Sequence, residues 1–203
     1  VMDGETPQAF CAVRPPGHHA EYDNAMGFCL FNNIAVAARY AVKKYDLSRV
    51  AIVDFDVHHG NGTEHIIAGD QRIMMCSSFQ HPFYPHSGSP VSASNILCAP
   101  LEAGANGEAF RKAVSYWFDA LINYQPQLIL ISAGFDAHAE DHMGQLRLRE
   151  DDYHWVSQQL RKVADKVCHG RIVSMLEGGY NLSALGRSVV AHIKGLHGDD
   201  TSH

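Results

Sequence analysis

The sequence predicts an α/β fold built on a central parallel sheet. Three observations carry that expectation. Apolar runs of strand length alternate with segments of helical periodicity, the pattern of strands joined by crossover helices. The runs are apolar on both faces, as strands covered by helices on each side must be. Polar clusters follow the carboxyl ends of four of them, where open parallel sheets hold their ligands.

Taken in order, Asn32 or Asn33 can cap a helix running to about Lys44, with Ile34, Ala37, Ala38, Ala41 and Val42 supplying its apolar residues. Residues 49–57, rich in Val, Ile and Phe, read as a buried strand, and 72–77 as a short second one. A loop bearing Pro82, Pro85 and Pro90 follows, then a helix over about 107–123 and an apolar strand over 127–133. Asp151 or Asp152 opens a helix to about His169, residues 171–176 form the last strand, and 182–196 a closing helix.

A length of 203 residues suits one domain. The net charge of −6, with no Lys/Arg run of five or more, argues against direct nucleic-acid binding or an anionic membrane surface. No apolar run reaches membrane-spanning length. Cys11, Cys29, Cys76, Cys98 and Cys168 are scattered and form no C-x-x-C pair, which fits reduced thiols in the cytoplasm or another intracellular reducing compartment. The chain opens Val1-Met2-Asp3 without a signal-peptide pattern, so an N-terminal part is expected to be missing. No feature fixes an oligomeric state.

The strand over 49–57 poses a puzzle, because it carries Asp54 and Asp56 and runs into His58 and His59. Burying an unpaired carboxylate costs several kcal/mol or shifts its protonation. Alternation along a strand puts Asp54, Asp56 and His58 on one face and Val53, Phe55 and Val57 on the other. Asp56 and His58 can then close on a divalent ion, with Zn²⁺ favoured and Fe²⁺, Co²⁺ or Mn²⁺ as competitors. The plainer alternative pairs Asp56 with a lysine and His58 with a carbonyl, but the strand holds no basic residue beyond Arg49 at its start. Asp136, in G-F-D after the strand over 127–133, is a third possible ligand, or else a turn cap.

Two acids and one imidazole neutralise a divalent ion and leave a position open, which marks catalytic sites. Such a site needs a base and an oxyanion donor. R-P-P-G-H-H presents His18 and His19 from a rigid turn, with Asp54 and Asn61 available to orient them; a solvated loop pair is the alternative. Tyr180 in E-G-G-Y-N follows Gly178 and Gly179, so the loop can approach a ligand closely and the phenol can donate; a buried structural tyrosine is the alternative.

The stretches RPPGHHA (14–20), GFCLFNN (27–33), DFDVHHGNG (54–62), SAGFDA (132–137) and EGGYN (177–181) together resemble the zinc-dependent histone deacetylases and their bacterial relatives, including acetylpolyamine amidohydrolases. The R-P-P-G-H-H and E-G-G-Y forms are similar to the class II and bacterial branch. The resemblance implies a three-layer arginase/deacetylase-like fold with residues 1–203 as a single catalytic domain, truncated at its N-terminus. It implies Asp56, His58 and Asp136 as zinc ligands, His18 oriented by Asp54, and His19 facing Asn61 where class I enzymes carry aspartate. His19 is then general base and acid, and Tyr180 binds the substrate carbonyl. Gly27, Phe28, Phe83, Tyr84, Gly178 and Gly179 are expected to line an acyl-lysine tunnel, although Phe83 and Tyr84 also suit an ordinary core. A structural potassium ion is implied at Asp54, Asp56, His58, Ser78 and Phe79. The implied substrate is an acetylated lysine side chain or an acetylated polyamine. A catalytically weak acyl-lysine binding module would share the pocket, and Tyr180 with the tandem histidines argues against it.

Overall fold

A computed structural model gives the architecture and describes residues 1–88 and 93–199; Pro90 lies outside the described residues. The described strands are β1 (Gln8–Cys11), β2 (Val50–Asp54), β3 (Ile73–Gln80), β4 (Ile96–Leu101), β5 (Leu128–Ala133) and β6 (Ile172–Leu176). They form one sheet in the order β1-β6-β5-β2-β3-β4, and every neighbouring pair is parallel. The helices are α1 (Asn33–Tyr45), α2 (Asn61–Ile67), α3 (Gly107–Val114), α4 (Tyr116–Tyr124), α5 (Glu150–Val167) and α6 (Leu182–His197).

Strand alternation divides the core into two layers. Ile52, Met75 and Leu130 face α1 and α2, packing with Ile34, Ala38, Val42 and Ile67. Val53, Cys76 and Ile131 face the other way, against Phe110 and Val114 of α3, Trp117 of α4, Leu160 of α5 and Leu196 of α6. Each large apolar side chain buried in this way contributes roughly 1.5–3 kcal/mol.

The strand order locates the site. From β2 the chain proceeds to β3 and β4 on one side, then returns to place β5 against the opposite edge of β2 and moves on to β6. Connections leaving β2 and β5 therefore diverge, opening a crevice at their carboxyl ends. Asp54 pairs with Ser132 at that end, so the acidic loop after β2 and the G-F-D loop after β5 meet there.

Several elements depart from expectation for identifiable reasons. β2 ends at Asp54 rather than continuing to residue 57, because the chain turns on its own aspartates. β3 runs on to Gln80. The helix expected over 107–123 is two, divided at Ser115, whose hydroxyl donates to the Lys112 carbonyl at 2.9 Å and competes with the helical ladder. β1 is only four residues long, and β4 contains Pro100, tolerated because β4 is a sheet edge. α2 opens with Asn61 and Gly62, poor helix formers that disguise it. Caps fall as predicted at Asn32, which accepts from Ala35 N–H at 3.0 Å, whereas Asp152 lies inside α5 and accepts from Arg149 N–H at 2.9 Å.

Candidate metal centre and catalytic pocket

Past β2, Asp54 Oδ1 accepts from Asp56 N–H at 3.1 Å and Asp56 Oδ1 accepts from His58 N–H at 2.9 Å. Each bond spans two residues, as in an Asx-turn. These turns, rather than continued strand alternation, gather Asp54, Asp56 and His58 while Phe55 and Val57 enter the core. The expectation of a shared face holds, but its cause is different.

Asp136 arrives from the loop after β5, its Oδ1 accepting from Val57 N–H at 3.0 Å. His58 Nδ1 lies 3.1 Å from Asp56 Oδ1 and 3.2 Å from Asp136 Oδ2, and the latter oxygen is buried without a hydrogen-bond partner. One ring proton cannot serve two carboxylates, whereas a cation can be shared by all three groups. Ligand atoms of Asp56, His58 and Asp136 lie within 4.8 Å of one another and all three residues are buried. Two acids with an imidazole suit zinc, so the residues present fit such an ion.

Electrostatics point the same way. Burial, with the charge of Asp56 adding, pushes Asp136 up to about 6. His58 is pulled down by burial but carried up to about 10 by Asp136 and Asp56. A proton on His58 and a divalent ion are thus alternative answers to the same negative charge. The glycines of the motif are required sterically. A Cβ on Gly178 would strike the Asp136 carboxylate, and Gly178 N–H donates to Asp56 Oδ2 at 2.9 Å.

The tandem histidines stand over this centre with ring centroids 4.2 Å apart. His18 Nδ1 meets Asp54 Oδ2 at 2.9 Å, and His19 Nδ1 meets Asn61 Oδ1 at 2.8 Å. Asn61 Nδ2 donates to Glu21 Oε1 at 2.8 Å, which fixes the amide so that its oxygen accepts from His19 Nδ1–H. His19 Nε2 is then left with its lone pair. Their protonation differs. Burial lowers His18, but Asp54, Asp56 and Glu177 outweigh it and hold the ring well above the ordinary histidine value. Burial and the neighbouring His18 push His19 down to about 3. Gly27, at φ 55, packs its backbone against the His19 ring, leaving no room for a side chain.

A cavity of about 620 Å³ opens over these groups. Its walls include Phe28, Phe83, Tyr84 and Tyr180. Phe83 stacks on His58 with centroids 5.4 Å apart, Tyr84 stands edge-on to His19 at 5.3 Å, and Phe28 faces Tyr180 at 6.1 Å. Burial and the nearby Asp56 and Asp136 raise Tyr180, so its phenol keeps its proton and remains a donor. Gly179 sits at φ 136, behind Tyr180, with its carbonyl accepting from Arg14. Ser78 and Phe79 lie just beyond Ser77, the β3 partner of Asp54.

Five supporting residues were not singled out from sequence. Glu177 Oε2 accepts from Gly17 and His18 N–H at 2.7 and 3.1 Å, and its Oε1 accepts from Ser132 at 2.9 Å. An acid closing an apolar strand was its signal, the same one that drew attention to Asp54. Asp141 Oδ2 accepts from Tyr180 and Asn181 N–H at 2.6 and 2.9 Å. Arg14 donates to the Gly179 carbonyl at 2.7 Å and lies 5.8 Å from the Tyr180 ring centre. Glu21 and Met143 complete the set, and no local pattern announced them. His142 also lines the cavity, whereas His138 is buried beside Glu150.

Fold and site together define a parallel α/β protein in which two buried carboxylates and an imidazole converge at the sheet's switch point. Residues 1–196 match the family described as Histone deacetylase domain, and the chain belongs to that family. It is 43% identical over 204 residues to Histone deacetylase 10, chloroplastic, of Oryza sativa subsp. japonica, covering 95% of this chain and 45% of the relative. It is 37% identical to a Probable deacetylase of Methanothermobacter thermautotrophicus, covering 92% of this chain and 58% of that protein. A solved structure titled Crystal Structure of HDA15 HD domain superposes with a TM-score of 0.91 at 35% identity, covering 99% of this chain and 59% of the other. The chain thus spans about half the length of these relatives. The family is one of hydrolases that generally use zinc and act on acetylated substrates. Among the described residues, no helix is long and apolar enough to cross a membrane.

Proposed function

We propose that this protein is a zinc-dependent lysine deacetylase, hydrolysing the side-chain amide of acetyl-lysine to acetate and the free amine. The reading rests on one observation above others: Asp56, His58 and Asp136 converge within 4.8 Å beside a cavity lined by His18, His19 and Tyr180. Asp56, His58 and Asp136 would hold the zinc ion, which when bound supplies Lewis-acid polarisation of the acyl carbonyl.

The chain's own groups do the rest. Phe28, Phe83 and Tyr84 grip the lysine methylenes and exclude water. The Tyr180 phenol donates a hydrogen bond to the carbonyl oxygen as that oxygen gains charge, keeping its proton. His19 Nε2 takes a proton from the attacking water and returns it to the leaving nitrogen as the C–N bond breaks. His18 keeps its proton throughout and offsets the charge of Asp54, Asp56 and Glu177. A potassium ion held by Asp54, Ser78 and the carbonyls of Asp56, His58 and Phe79 would offset that charge further.

Acetyl-lysine is preferred over an acetylated polyamine because the described cavity lining contains no carboxylate to meet an internal ammonium. Acetate release by the full-length protein, from an acetyl-lysine peptide and from an acetylated polyamine, tests both points. Activity should vanish with chelator, return with Zn²⁺ and favour the peptide. His19→Ala should lower turnover by about 10²–10⁴-fold with the metal still bound, and Tyr180→Phe by about 10²-fold. Full turnover in His19→Ala would remove that residue from the mechanism.

A further inference from the structure

His59 follows His58 in sequence but turns the opposite way. Its ring is buried, packs 4.7 Å from the Phe79 ring centre, and has both nitrogens engaged: Nδ1 at 2.8 Å from Ser87 Oγ and Nε2 at 2.8 Å from Glu64 Oε2. Glu64 lies on α2 and Cys98 on the edge strand β4. A ring nitrogen of His59, a carboxylate oxygen of Glu64 and Cys98 Sγ all lie within 4.8 Å of one another. We propose that His59, Glu64 and Cys98 form a second divalent-metal site for a thiophilic ion of the zinc class, separate from the Asp56–His58–Asp136 centre.

The donor set has the composition such an ion selects. A thiolate and a carboxylate balance the charge of a divalent cation, and imidazole completes a three-ligand set with one position open. The thiolate discriminates against magnesium and calcium, which prefer oxygen, and favours zinc or cadmium. Metal–ligand bonds of about 2.0–2.3 Å place tetrahedral ligands roughly 3.4 Å apart, within reach of small side-chain rotations here. Ser87 completes the arrangement. When its hydroxyl accepts from Nδ1–H, Nε2 keeps the lone pair that a metal needs, the tautomer control typical of metal-binding histidines. The Glu64 side chain is 23% exposed, so an ion can enter from solvent. Three chain segments supply the ligands: the loop after β2, the helix α2 and the sheet edge β4. An ion there would tie that edge to the loop carrying His58. The competing arrangement is the His59–Glu64 ion pair alone, with the thiol as a neighbour.

Sulfur makes the two centres separable, because Asp56, His58 and Asp136 include no thiolate. Metal-free full-length protein is titrated with Cd²⁺ and followed by thiolate-to-metal charge-transfer absorbance. A band saturating at one ion per chain is expected, in the parent protein and equally in His58→Ala. Cys98→Ser should abolish it. Ser87→Ala, which leaves every thiol in place, should weaken Cd²⁺ binding by about 10–100-fold, and Glu64→Gln should weaken it too. These two variants carry the test if Cys98→Ser does not fold. A band that persists in Cys98→Ser, a folded parent protein without one, or unchanged affinity in both Ser87→Ala and Glu64→Gln would overturn the second site. None of these readouts depends on deacetylase activity, so this site and the proposed reaction succeed or fail separately.

Discussion

Two loops each present adjacent histidines, and they use them differently. In the turn before α1 both rings line the same cavity, His18 against Asp54 and His19 against Asn61. In the loop after β2 the rings part: His58 joins Asp56 and Asp136, whereas His59 turns to Glu64 and Ser87. Adjacency in sequence therefore does not set an imidazole's task. The partner does. A ring among carboxylates holds a proton or shares a cation, and a ring against a neutral amide remains a base.

The largest expected effect comes from the second loop. His58→Ala should abolish turnover and remove the ion held with Asp56 and Asp136, whereas His59→Ala should leave that ion bound. Metal analysis by mass spectrometry of both variants in a Cys98→Ser background, where only the ion of Asp56, His58 and Asp136 is expected, checks this, and equal metal loss there would erase the distinction between the two rings.

Asn61→Asp sharpens the comparison within the first loop. A carboxylate there stabilises protonated His19, whose ring the native surroundings hold down at about 3. The base then takes up its proton at higher pH, so the acidic limb of the kcat/KM profile should move upward by about 1–3 pH units. An unmoved limb would mean that another group is the base.

A smaller effect is expected behind the histidines. Burial, reinforced by Asp54, raises Glu177 from an ordinary 4.5 to about 7. The folded state then binds more protons than the unfolded chain between those values. The stability this gives is full below pH 4.5 and is lost as pH rises through about 7, by about 1.4 kcal/mol per pH unit at most. Glu177→Gln should flatten that slope in denaturant titrations and still accept from Gly17 and His18 N–H. A slope unchanged by the substitution would place the titration elsewhere.

The central strands and long helices were legible because their burial writes a periodic pattern, as in residues 127–133 and 182–196. β1 and β4 were not, since four residues carry little periodicity and Pro100 reads as a breaker until the strand is known to be an edge. Asp56, His58 and Asp136 stood out because charge at a strand exit conflicts with its surroundings, and His18 and His19 because a Pro-Pro-Gly turn presents them side by side. Asp141 and Arg14 stayed hidden for the opposite reason. They act on backbone atoms of residues 179–181, and a loop side chain that binds a distant N–H or carbonyl looks like any other polar loop residue.

Anomalous diffraction at the zinc absorption edge, from crystals of the zinc-loaded protein, addresses the central claim most directly. A peak about 2.0–2.2 Å from His58 Nδ1 and from one oxygen each of Asp56 and Asp136 is predicted. Zinc found only elsewhere, with those three side chains turned apart, would contradict it.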